Sequence, residues 1–471
     1  MASPNIKDYV HKRIHMIGIG GSSMSGLAKM LHEKGYRLTG SDHLETYTTK
    51  ALRKSGIPVT IGHRKENVYG ADLIVYTVAV SADNAERAEA RRLGIPEIER
   101  AQLLGQLMDG CSIAIGVCGT HGKTTTTSMI AQILMAAECD PSIHIGGSLD
   151  SIGGNVRTGK GDIFLTEACE FNLSFMHLKP DVAVITNIDE DHLDFFRDIK
   201  HIQSAFGDFL SLVPENGIVI ANGEDPRIAD LLKTLACRIV TFGKNADCSI
   251  SAANIRYNEL GHGAFDLVSG EETLGRVALQ VGGEFNVYNA LAAAVCAFSL
   301  QLDMHTACAA LSAFKGTRRR FELTGIIDDV KLYHDYGHNP AEMENALSIA
   351  KLQPHNRLWA VMQPHTYSRV KKMLLRYFTC TKAADITLVT DIYAAREKDP
   401  GDIFAEQIIT GMIENGVNAV HTPTFDDTEA YLRAHWQPGD LVLTMGCGNI
   451  NQLNEQMNEH EVNKQGGSRH A

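Results

Sequence analysis

Short apolar runs alternate along this chain with longer segments in which apolar residues recur at helical spacing. Residues 112–118, Ser-Ile-Ala-Ile-Gly-Val-Cys, form one such run, and from Met129 to Ala137 apolar side chains recur as on one face of a helix. The same order of apolar run, glycine turn and helical segment opens the chain at residues 13–32 and returns after residue 331. Strands and helices repeated in this order predict parallel, doubly wound sheets and therefore an α/β fold.

A chain of 471 residues is too long for one hydrophobic core and predicts about three domains. We expect an N-terminal Rossmann-like domain, a central domain similar to a P-loop ATPase, and a C-terminal Rossmann-like domain. A β-rich segment with glycine turns, residues 248–285, predicts a small antiparallel patch in the central domain. The expected boundaries are 1–107, 108–320 and 321–462, followed by a disordered polar tail at 463–471.

The segment from Gly119 to Thr127, Gly-Thr-His-Gly-Lys-Thr-Thr-Thr-Thr, joins a predicted strand to a predicted helix. Glycines at 119 and 122 would let the backbone approach a phosphate group, which the first N–H groups of the helix favour. Lys123 would reach terminal phosphates, and the Thr124 hydroxyl could bind Mg²⁺. The segment therefore predicts a nucleoside triphosphate site.

A second glycine turn, from Gly18 to Gly26, follows the first predicted strand, and Asp42 ends the next one. This arrangement resembles a dinucleotide-binding fingerprint in which a carboxylate meets the ribose. The fingerprint is imperfect, because Ser23 stands where its third glycine belongs. NAD or FAD, a different pyrophosphate ligand and a purely structural turn all remain open, and the pattern favours the second.

Carboxylates follow two predicted strands of the central domain. Glu167 ends the run at 162–166, and the cluster Asn187–His192 ends the run that begins at Asp181. The carboxyl ends of parallel strands lie at the edge of the sheet where the phosphate loop is expected. These side chains could hold hard cations beside the phosphates, or they could serve only as turn and helix caps.

Composition narrows the class of protein. The net charge of −12 gives no electrostatic reason to expect nucleic acid or an anionic membrane as a partner. No apolar stretch approaches about 18 residues, so we expect no membrane insertion. The N-terminus lacks an apolar signal core, and none of the ten cysteines forms a Cys-x-x-Cys pair. Both features predict a cytoplasmic protein with buried, reduced thiols.

The motifs together resemble those of the Mur ligase family over essentially the whole chain. A valine, Val117, at the position of the usual first glycine of the phosphate loop is typical of this family. The segments that carry the resemblance are 18–26 with Ser41 and Asp42, 119–125, 186–192, 286–289, 319–321, 335–338, 363–369 and 390–395.

The resemblance implies an ATP-dependent ligase of peptidoglycan precursor synthesis. It would join L-alanine to the lactyl carboxylate of UDP-N-acetylmuramate through an acyl phosphate and release ADP and phosphate. The expected partners are UDP-N-acetylmuramate, L-alanine and ATP, and the expected assembly is a monomer or a weak homodimer. Two Mg²⁺ sites are implied, which Mn²⁺ could also occupy.

The family also implies a role for individual positions of this chain. The catalytic residues would be Lys123, His192, Arg369 and His338. The UDP-sugar would contact Gly18, Gly20, Gly21, Ser41 and Asp42. ATP would contact Gly119, Thr120, His121, Gly122, Lys123, Thr124, Thr125, Asn286, Asn289, Arg319, Arg320 and Asp335. The amino acid would contact Tyr336, His338, His365 and Arg369, and the metal ligands would be Thr124, Glu167 and His192.

Three departures from the family pattern lie away from the implied metal ligands and Lys123, so we expect activity to survive. They are Cys169 in the run Glu167–Ser174, Phe285 where the family usually has histidine, and Asn449 where it has aspartate.

Other functions remain as alternatives. A tripeptide-recycling ligase of the same family carries an insertion after its acidic run, whereas here only nine residues separate Glu170 from Pro180. That spacing favours a single amino acid as acceptor. A nicotinamide-dependent oxidoreductase would use the first glycine turn but would leave Lys123 and His192 unexplained. A non-catalytic nucleotide-binding scaffold is disfavoured because the phosphate and metal residues are all retained.

Overall fold

The computed structural model of the chain describes residues 4–192, 195–395 and 397–467. Its contacts group the chain into two compact units. The first contains the chain up to Ile255 together with Phe265–Val277 and Phe285–Phe314. The second contains Arg256–Ala264, Ala278–Glu284 and the chain from Lys315 onward.

The first sheet is entirely parallel, with strand order β3-β2-β1-β4-β5. The glycine turn follows the central strand β1, at the point where the strand order reverses, which is where doubly wound sheets bind their ligands. Its elements are β1 (Arg13–Ile17), α1 (Ser22–Glu33), β2 (Arg37–Asp42), α2 (Tyr47–Lys54), β3 (Val59–Ile61), β4 (Leu73–Tyr76), α3 (Ala85–Arg92), β5 (Glu97–Glu99) and α4 (Arg100–Met108).

The second sheet has ten strands in the order β15-β14-β13-β12-β11-β10-β6-β9-β7-β8. Its elements are β6 (Ile113–Cys118), α5 (Lys123–Ala136), β7 (Ser142–Leu149), β8 (Gly154–Arg157), β9 (Ile163–Glu167), β10 (Val182–Ile185), α6 (Ile199–Leu210), β11 (Ile218–Asn222), α7 (Pro226–Leu232), β12 (Arg238–Gly243), β13 (Ile250–Tyr257), β14 (His262–Ser269), β15 (Glu272–Gly282), α8 (Glu284–Ser299) and α9 (Met304–Ser312).

Strand β6 lies between β9 and β10 and is parallel to both, so the loops that follow these three strands meet at one edge. Both faces of β6 are covered, since Val117 on one face and Cys118 on the other have no exposed surface. This burial explains why the strand reads as a continuous apolar run in the sequence. Strands β13, β14 and β15 are neighbours joined by very short connections, which only antiparallel pairing allows.

The third sheet has the order β16-β17-β21-β18-β19-β20, and only the edge pair of β16 and β17 is antiparallel. Its elements are β16 (Glu322–Ile327), β17 (Val330–Asp335), α10 (Pro340–Ala350), β18 (Leu358–Met362), α11 (Tyr367–Tyr377), β19 (Ile386–Val389), α12 (Ala405–Glu414), β20 (Ala419–His421), α13 (Phe425–His435), β21 (Leu441–Met445) and α14 (Asn451–Gly467).

The predicted α/β class, with two Rossmann-like sheets and a central mixed sheet, is confirmed. The predicted tail needs correction, because α14 continues through residues 463–467. Residues 463–465 are Asn, Lys and Gln, all of which are compatible with a helix. Their polarity alone therefore did not end α14. Residues 468–471 lie outside the described part. In that part, no helix combines the length and apolar character needed to cross a bilayer.

Candidate active site

Two glycines shape the loop between β6 and α5. Gly119 and Gly122 have φ values of +128° and +82°, where residues with a Cβ are strained. A Cβ on Gly119 would collide with the hydroxyl of Thr186, and one on Gly122 would collide with the side-chain amide of Asn289. Gly122 is also the N-cap of α5, and no side chain caps that helix. The loop therefore leaves the N-terminus of α5 open to an anion, as the sequence predicts.

Lys123 is held over this loop by its own backbone and by one carboxylate. Its ammonium group donates to the carbonyl oxygens of Gly119 at 2.6 Å and Thr120 at 2.9 Å, and to Glu170 at 3.0 Å. The Glu170 side chain is only 3% exposed. Burial lowers the pKa of Lys123, but the neighbouring acidic groups, Glu170 first among them, together raise it by more, and the pKa lies above its ordinary value. The lysine is therefore charged and aimed at the loop.

Thr124 and Glu167, two of the predicted metal ligands, are in contact. The Thr124 hydroxyl donates to Oε2 of Glu167 at 3.1 Å, and the Gly146 N–H donates to Oε1 at 2.6 Å. Both side chains supply hard oxygen donors beside the loop that precedes α5. Mg²⁺ commonly takes one or two protein oxygens and completes its shell with phosphate and water, so this pair fits the ion.

His192, the third predicted ligand, lies beside Glu170. Its Nε2 atom is 3.9 Å from Oε1 of Glu170, and its ring centroid is 4.9 Å from that of Phe171. The backbone φ of His192 is +49°. Across the described residues, no group of three or more His, Cys, Asp or Glu side chains forms a ready-made metal site. A second metal at His192 therefore stays a prediction.

The loop after β10 supports the phosphate loop. The Thr120 hydroxyl accepts from the Asp189 N–H at 2.8 Å, and the His121 N–H donates to the side chain of Asn187 at 2.9 Å. The His121 imidazole is 3.6 Å from the Asp189 carboxylate. Thr125 follows in the first turn of α5 and is partly exposed. Thr120 and His121 therefore hold the shape of the loop through these contacts.

Asn286 and Asn289, the predicted adenine contacts, are both buried on α8. The Asn289 amide donates to Asn286 at 3.0 Å and accepts from the Thr126 hydroxyl of α5 at 3.2 Å. Asn289 therefore ties α8 to α5 directly behind the phosphate loop. Its contact with adenine stays a prediction.

The first glycine turn is closed by the carboxylate of Asp42. Gly18 has a φ of +76°, and the Gly20 N–H donates to Oδ2 of Asp42 at 2.9 Å. Gly21 is the N-cap of α1, again with no capping side chain. Ser41, predicted to contact the UDP-sugar, is fully buried, and its hydroxyl donates to an interior carboxylate.

That carboxylate belongs to Glu86 on α3, which the sequence did not single out. Glu86 accepts from Ser41 at 2.6 Å and also from Asn67, and its Oε2 atom lies 3.2 Å from Nδ1 of His63. His15 is 3.8 Å away. Burial raises the pKa of Glu86, but His15, Ser41 and Asn67 lower it by more, to about 2. Glu86 is therefore a buried anion beneath the strand end that carries Asp42.

In the second unit, Arg319 and Arg320 lie close to Tyr336. Each guanidinium carbon is 4.9 Å from the centre of the tyrosine ring, an arrangement typical of cation–π contacts. Arg319 also donates to the carbonyl oxygens of Gly446 and Gly448, so its guanidinium is already hydrogen-bonded within the second unit. Of the two arginines predicted to reach ATP, Arg320 is the less constrained in these contacts.

Asp335, the predicted ribose contact, ends β17. Its carboxylate accepts from the N–H groups of Phe321 at 2.8 Å and Gly337 at 2.6 Å. Burial raises the pKa of Asp335.

The four residues predicted to form an amino-acid pocket are brought together. The rings of Tyr336 and His338 are 5.7 Å apart, and those of His338 and His365 are 6.0 Å apart. Arg369 lies 3.4 Å from Nδ1 of His365. Tyr393, which the sequence did not single out, stacks on His365 at 5.7 Å. Its only signal was its place in the motif after β19.

Glu170 is the other site residue that sequence reasoning left without a role. It lies three positions after Glu167 and follows the same strand, so the sequence offered two equivalent carboxylates. The structure separates them, because Glu167 contacts Thr124 and Glu170 contacts Lys123.

Comparison with known families gives three matches along the chain. A model described as the Mur ligase family, catalytic domain, matches residues 13–111. The Mur ligase middle domain matches residues 117–297, and the Mur ligase glutamate ligase domain matches residues 319–448.

Curated relatives match over nearly their whole length. The UDP-N-acetylmuramate–L-alanine ligase of Acetivibrio thermocellus is 44% identical over 445 residues, which cover 94% of this chain and 95% of that protein. The enzyme of the same name from Caldanaerobacter subterraneus is 44% identical over 448 residues, covering 95% and 97%.

Solved structures of ligases are similar to this chain over nearly its whole length. The UDP-N-acetylmuramate–alanine ligase of Thermotoga maritima superposes with a TM-score of 0.83 at 27% identity and covers 96% of this chain and 100% of that one. A murein peptide ligase from Psychrobacter arcticus superposes with a TM-score of 0.75 at 26% identity, covering 95% and 98%.

Proposed function

The chain belongs to the Mur ligase family, and we propose that it uses ATP to join L-alanine to the lactyl carboxylate of UDP-N-acetylmuramate. The products would be UDP-N-acetylmuramoyl-L-alanine, ADP and phosphate. The observation that carries this proposal is the 44% identity to ligases of that name over nearly the full length of both chains. The boundaries at residues 107 and 320, the metal ions and the role of each site residue are parts of the same proposal.

The phosphate loop supports an activation step in which the substrate carboxylate attacks the γ-phosphate of ATP. Both groups are anionic, so the transfer needs positive charge aimed at the phosphate oxygens. Lys123 supplies such a charge, and its three oxygen partners hold the ammonium group at the loop. The open N-terminus of α5 adds backbone N–H donors.

Thr124 and Glu167 would hold Mg²⁺, and His192 would bind a second ion. When bound, Mg²⁺ neutralises phosphate charge and polarises the transferred group. The Gly146 N–H fixes one oxygen of Glu167 and leaves the other facing Thr124. The protein therefore orients a hard oxygen pair at the loop.

The second half of the reaction is attack by the alanine amine on the acyl phosphate. We assign the amino acid to the cluster of Tyr336, His338, His365 and Arg369. Arg369 would pair with the alanine carboxylate, since a guanidinium binds a carboxylate through two parallel hydrogen bonds. His338 lies 3.2 Å from Glu342, and it is a candidate for accepting the amine proton together with His192.

The alternatives predicted from sequence receive less support. The murein peptide ligase structure is similar, but the chain lacks an insertion between Glu170 and Pro180 and its curated relatives are named for L-alanine. A nicotinamide-dependent oxidoreductase is not favoured, because none of the matched families has that description.

Phosphate release tests the proposal directly. The full chain would be mixed with UDP-N-acetylmuramate, ATP and Mg²⁺, and with L-alanine, glycine, L-serine or the tripeptide as acceptor. We expect rapid release with L-alanine. Release with the tripeptide alone would select the recycling ligase, and no release with any acceptor would contradict a ligase function.

A further inference from the structure

A chain of hydrogen bonds connects Arg100 at the start of α4 to the end of β9. The Arg100 guanidinium donates through Nη1 to the Ser23 hydroxyl at 3.2 Å. The Ser23 hydroxyl is 2.8 Å from Nε2 of His144, and Nδ1 of His144 is 3.1 Å from the Thr166 hydroxyl. Thr166 donates in turn to the carbonyl oxygen of Glu167 at 3.1 Å.

The direction of each hydrogen bond in this chain is fixed. Because the Thr166 hydroxyl donates to a carbonyl, it must accept from Nδ1–H of His144. Nε2 of a neutral His144 then accepts from the Ser23 hydroxyl, whose oxygen is left to accept from Arg100. Burial, followed by the positive charge of Arg100, lowers the pKa of His144 to about 3. The series of hydrogen-bonded side chains from Arg100 to Thr166 therefore carries a single positive charge, on Arg100.

No carboxylate in the described part of the chain forms an ion pair with Arg100 to balance that charge. Glu99, its neighbour in the chain, raises the pKa of the guanidinium electrostatically, but burial outweighs that effect and lowers the pKa overall. Cys169 is the ionisable side chain with the largest electrostatic effect on Arg100, but burial raises the pKa of its thiol to about 11 and keeps it neutral. A partly buried guanidinium without a counter-ion is costly, so an anionic ligand is expected to meet it.

The position of Ser23 indicates which anion this is. Ser23 lies in the first turn of α1, whose N-cap Gly21 provides no side-chain cap and whose N–H groups favour an anion. The same serine replaces the third glycine of the dinucleotide fingerprint. In that fingerprint the third glycine lets helix and strand pack closely, whereas a serine can direct a guanidinium to the helix end.

We propose that Arg100 is a substrate-binding residue that contacts the diphosphate of the sugar nucleotide, and that Ser23 and His144 fix its guanidinium at the N-terminus of α1. The assignment rests on the proposed function, because it takes UDP-N-acetylmuramate as the ligand of the first glycine turn. It adds a cationic side chain to a site for which the sequence predicted only glycines, Ser41 and Asp42.

Calorimetric binding to the full chain tests this assignment, with UDP-N-acetylmuramate and with UDP-N-acetylglucosamine, which lacks the lactyl carboxylate. Arg100→Gln should lower the affinity for both nucleotides by about 10- to 100-fold, since one charged hydrogen-bond donor is lost. Arg100→Lys should keep part of the affinity. Ser23→Ala should lower the affinity for both nucleotides less than Arg100→Gln does. Arg92→Gln, which removes an exposed arginine paired with Glu89, is the matched control and should leave both affinities unchanged.

The contrary outcomes contradict either the role of Arg100, its assignment to the diphosphate, or the proposed function. Equal binding by Arg100→Gln and the unmodified chain would overturn the role of Arg100 alone. A loss confined to UDP-N-acetylmuramate would move Arg100 from the diphosphate to the lactyl carboxylate and overturn the assignment. If the unmodified chain bound neither nucleotide, the proposed function itself would fail. An unchanged melting temperature in Arg100→Lys separates lost binding from lost folding.

Discussion

Lys123 shows at the scale of one residue how the site is charged before any substrate binds. Lys123→Ala removes the ammonium group that Gly119, Thr120 and Glu170 hold at the loop. We expect phosphate release to fall by about 10³-fold, the upper range for the loss of one preorganised donor. UDP-N-acetylmuramate should still bind, because the glycine turn proposed to hold it follows β1, in a different sheet. Lys179→Ala, at an exposed lysine, is the control, and a parallel loss of sugar-nucleotide affinity in Lys123→Ala would contradict this division of roles.

The ion pair between Lys123 and Glu170 also makes a prediction about stability. Lys123→Met would leave the buried Glu170 carboxylate without its main partner, so it should destabilise the fold more than Glu170→Gln does. The double variant should then be more stable than the sum of the two losses, by about 1–3 kcal/mol. Urea unfolding of the four proteins measures this coupling. Simple additivity would show that the two charges do not interact.

Glu86 predicts a pH dependence of stability. Its ordinary pKa of 4.5 falls to about 2 in the folded chain. A carboxylate with a lowered folded pKa stabilises the protein above its unfolded pKa, and this contribution is lost as the pH falls from 4.5 towards 2. Glu86→Gln should therefore be less stable than the unmodified chain at neutral pH, and the difference should shrink across that window.

Denaturant unfolding at several pH values would detect the convergence of the two curves. Glu33→Gln, at an exposed position of α1, serves as the control and should follow the unmodified chain. A constant difference between Glu86→Gln and the unmodified chain at every pH would exclude Glu86 as the titrating group.

At the scale of one element, the turn that starts α5 depends on Gly122 for two reasons. Gly122 and Gly35 have almost the same φ, +82° and +84°, but only Gly122 faces a neighbour, the amide of Asn289. Gly35→Ala should therefore cost about 1 kcal/mol from backbone strain alone. Gly122→Ala should cost about 2–4 kcal/mol, because crowding adds to the same strain.

Thermal unfolding of the two glycine variants compares these costs. Adding Asn289→Ala should restore part of the stability lost in Gly122→Ala, since it removes the crowded atom. Equal losses in the two single variants would mean that Asn289 can move aside freely.

Buried central strands were predictable from sequence, and short or edge strands were not. Strands β6 and β10 are covered on both faces and read as continuous apolar runs. Strand β20 has only three residues, and β16 is an edge strand with an irregular register next to Gly325, so neither gives a clear pattern. Length and burial decide what the sequence reveals about an element.

In the candidate site, too, some contacts were predictable from sequence and others were not. Thr124 and Glu167, predicted to lie together beside the phosphates, are in contact, because parallel strands place their ends at one edge regardless of side-chain detail. Their role as metal ligands stays a prediction. The contacts of Glu86 and Arg100 were not predictable. Both residues lie on helices, and their partners lie on other elements distant in sequence, Ser41 on β2 and Ser23 on α1. Such partners depend on packing, which local patterns do not encode.

At the scale of the whole molecule, the two halves of the reaction are assigned to different compact units. The phosphate loop with Lys123 and Glu167 belongs to the first unit, and the cluster with His365 and Arg369 belongs to the second. Activation of the carboxylate should therefore survive damage to the amino-acid pocket. The two steps can be separated experimentally, because hydroxylamine traps an acyl phosphate as a hydroxamate without any need for alanine.

Arg369→Ala tests this separation. Loss of the guanidinium that we propose binds the alanine carboxylate should raise the KM for L-alanine by about 100-fold, while hydroxamate formation from UDP-N-acetylmuramate and ATP stays near that of the unmodified chain. Lys123→Ala should reduce both reactions by about 10³-fold. Arg376→Ala, at an exposed arginine of the same helix α11, should change neither. If Arg369→Ala also lost hydroxamate formation, the second unit would be required for activation, and the assignment of one step to each unit would be wrong.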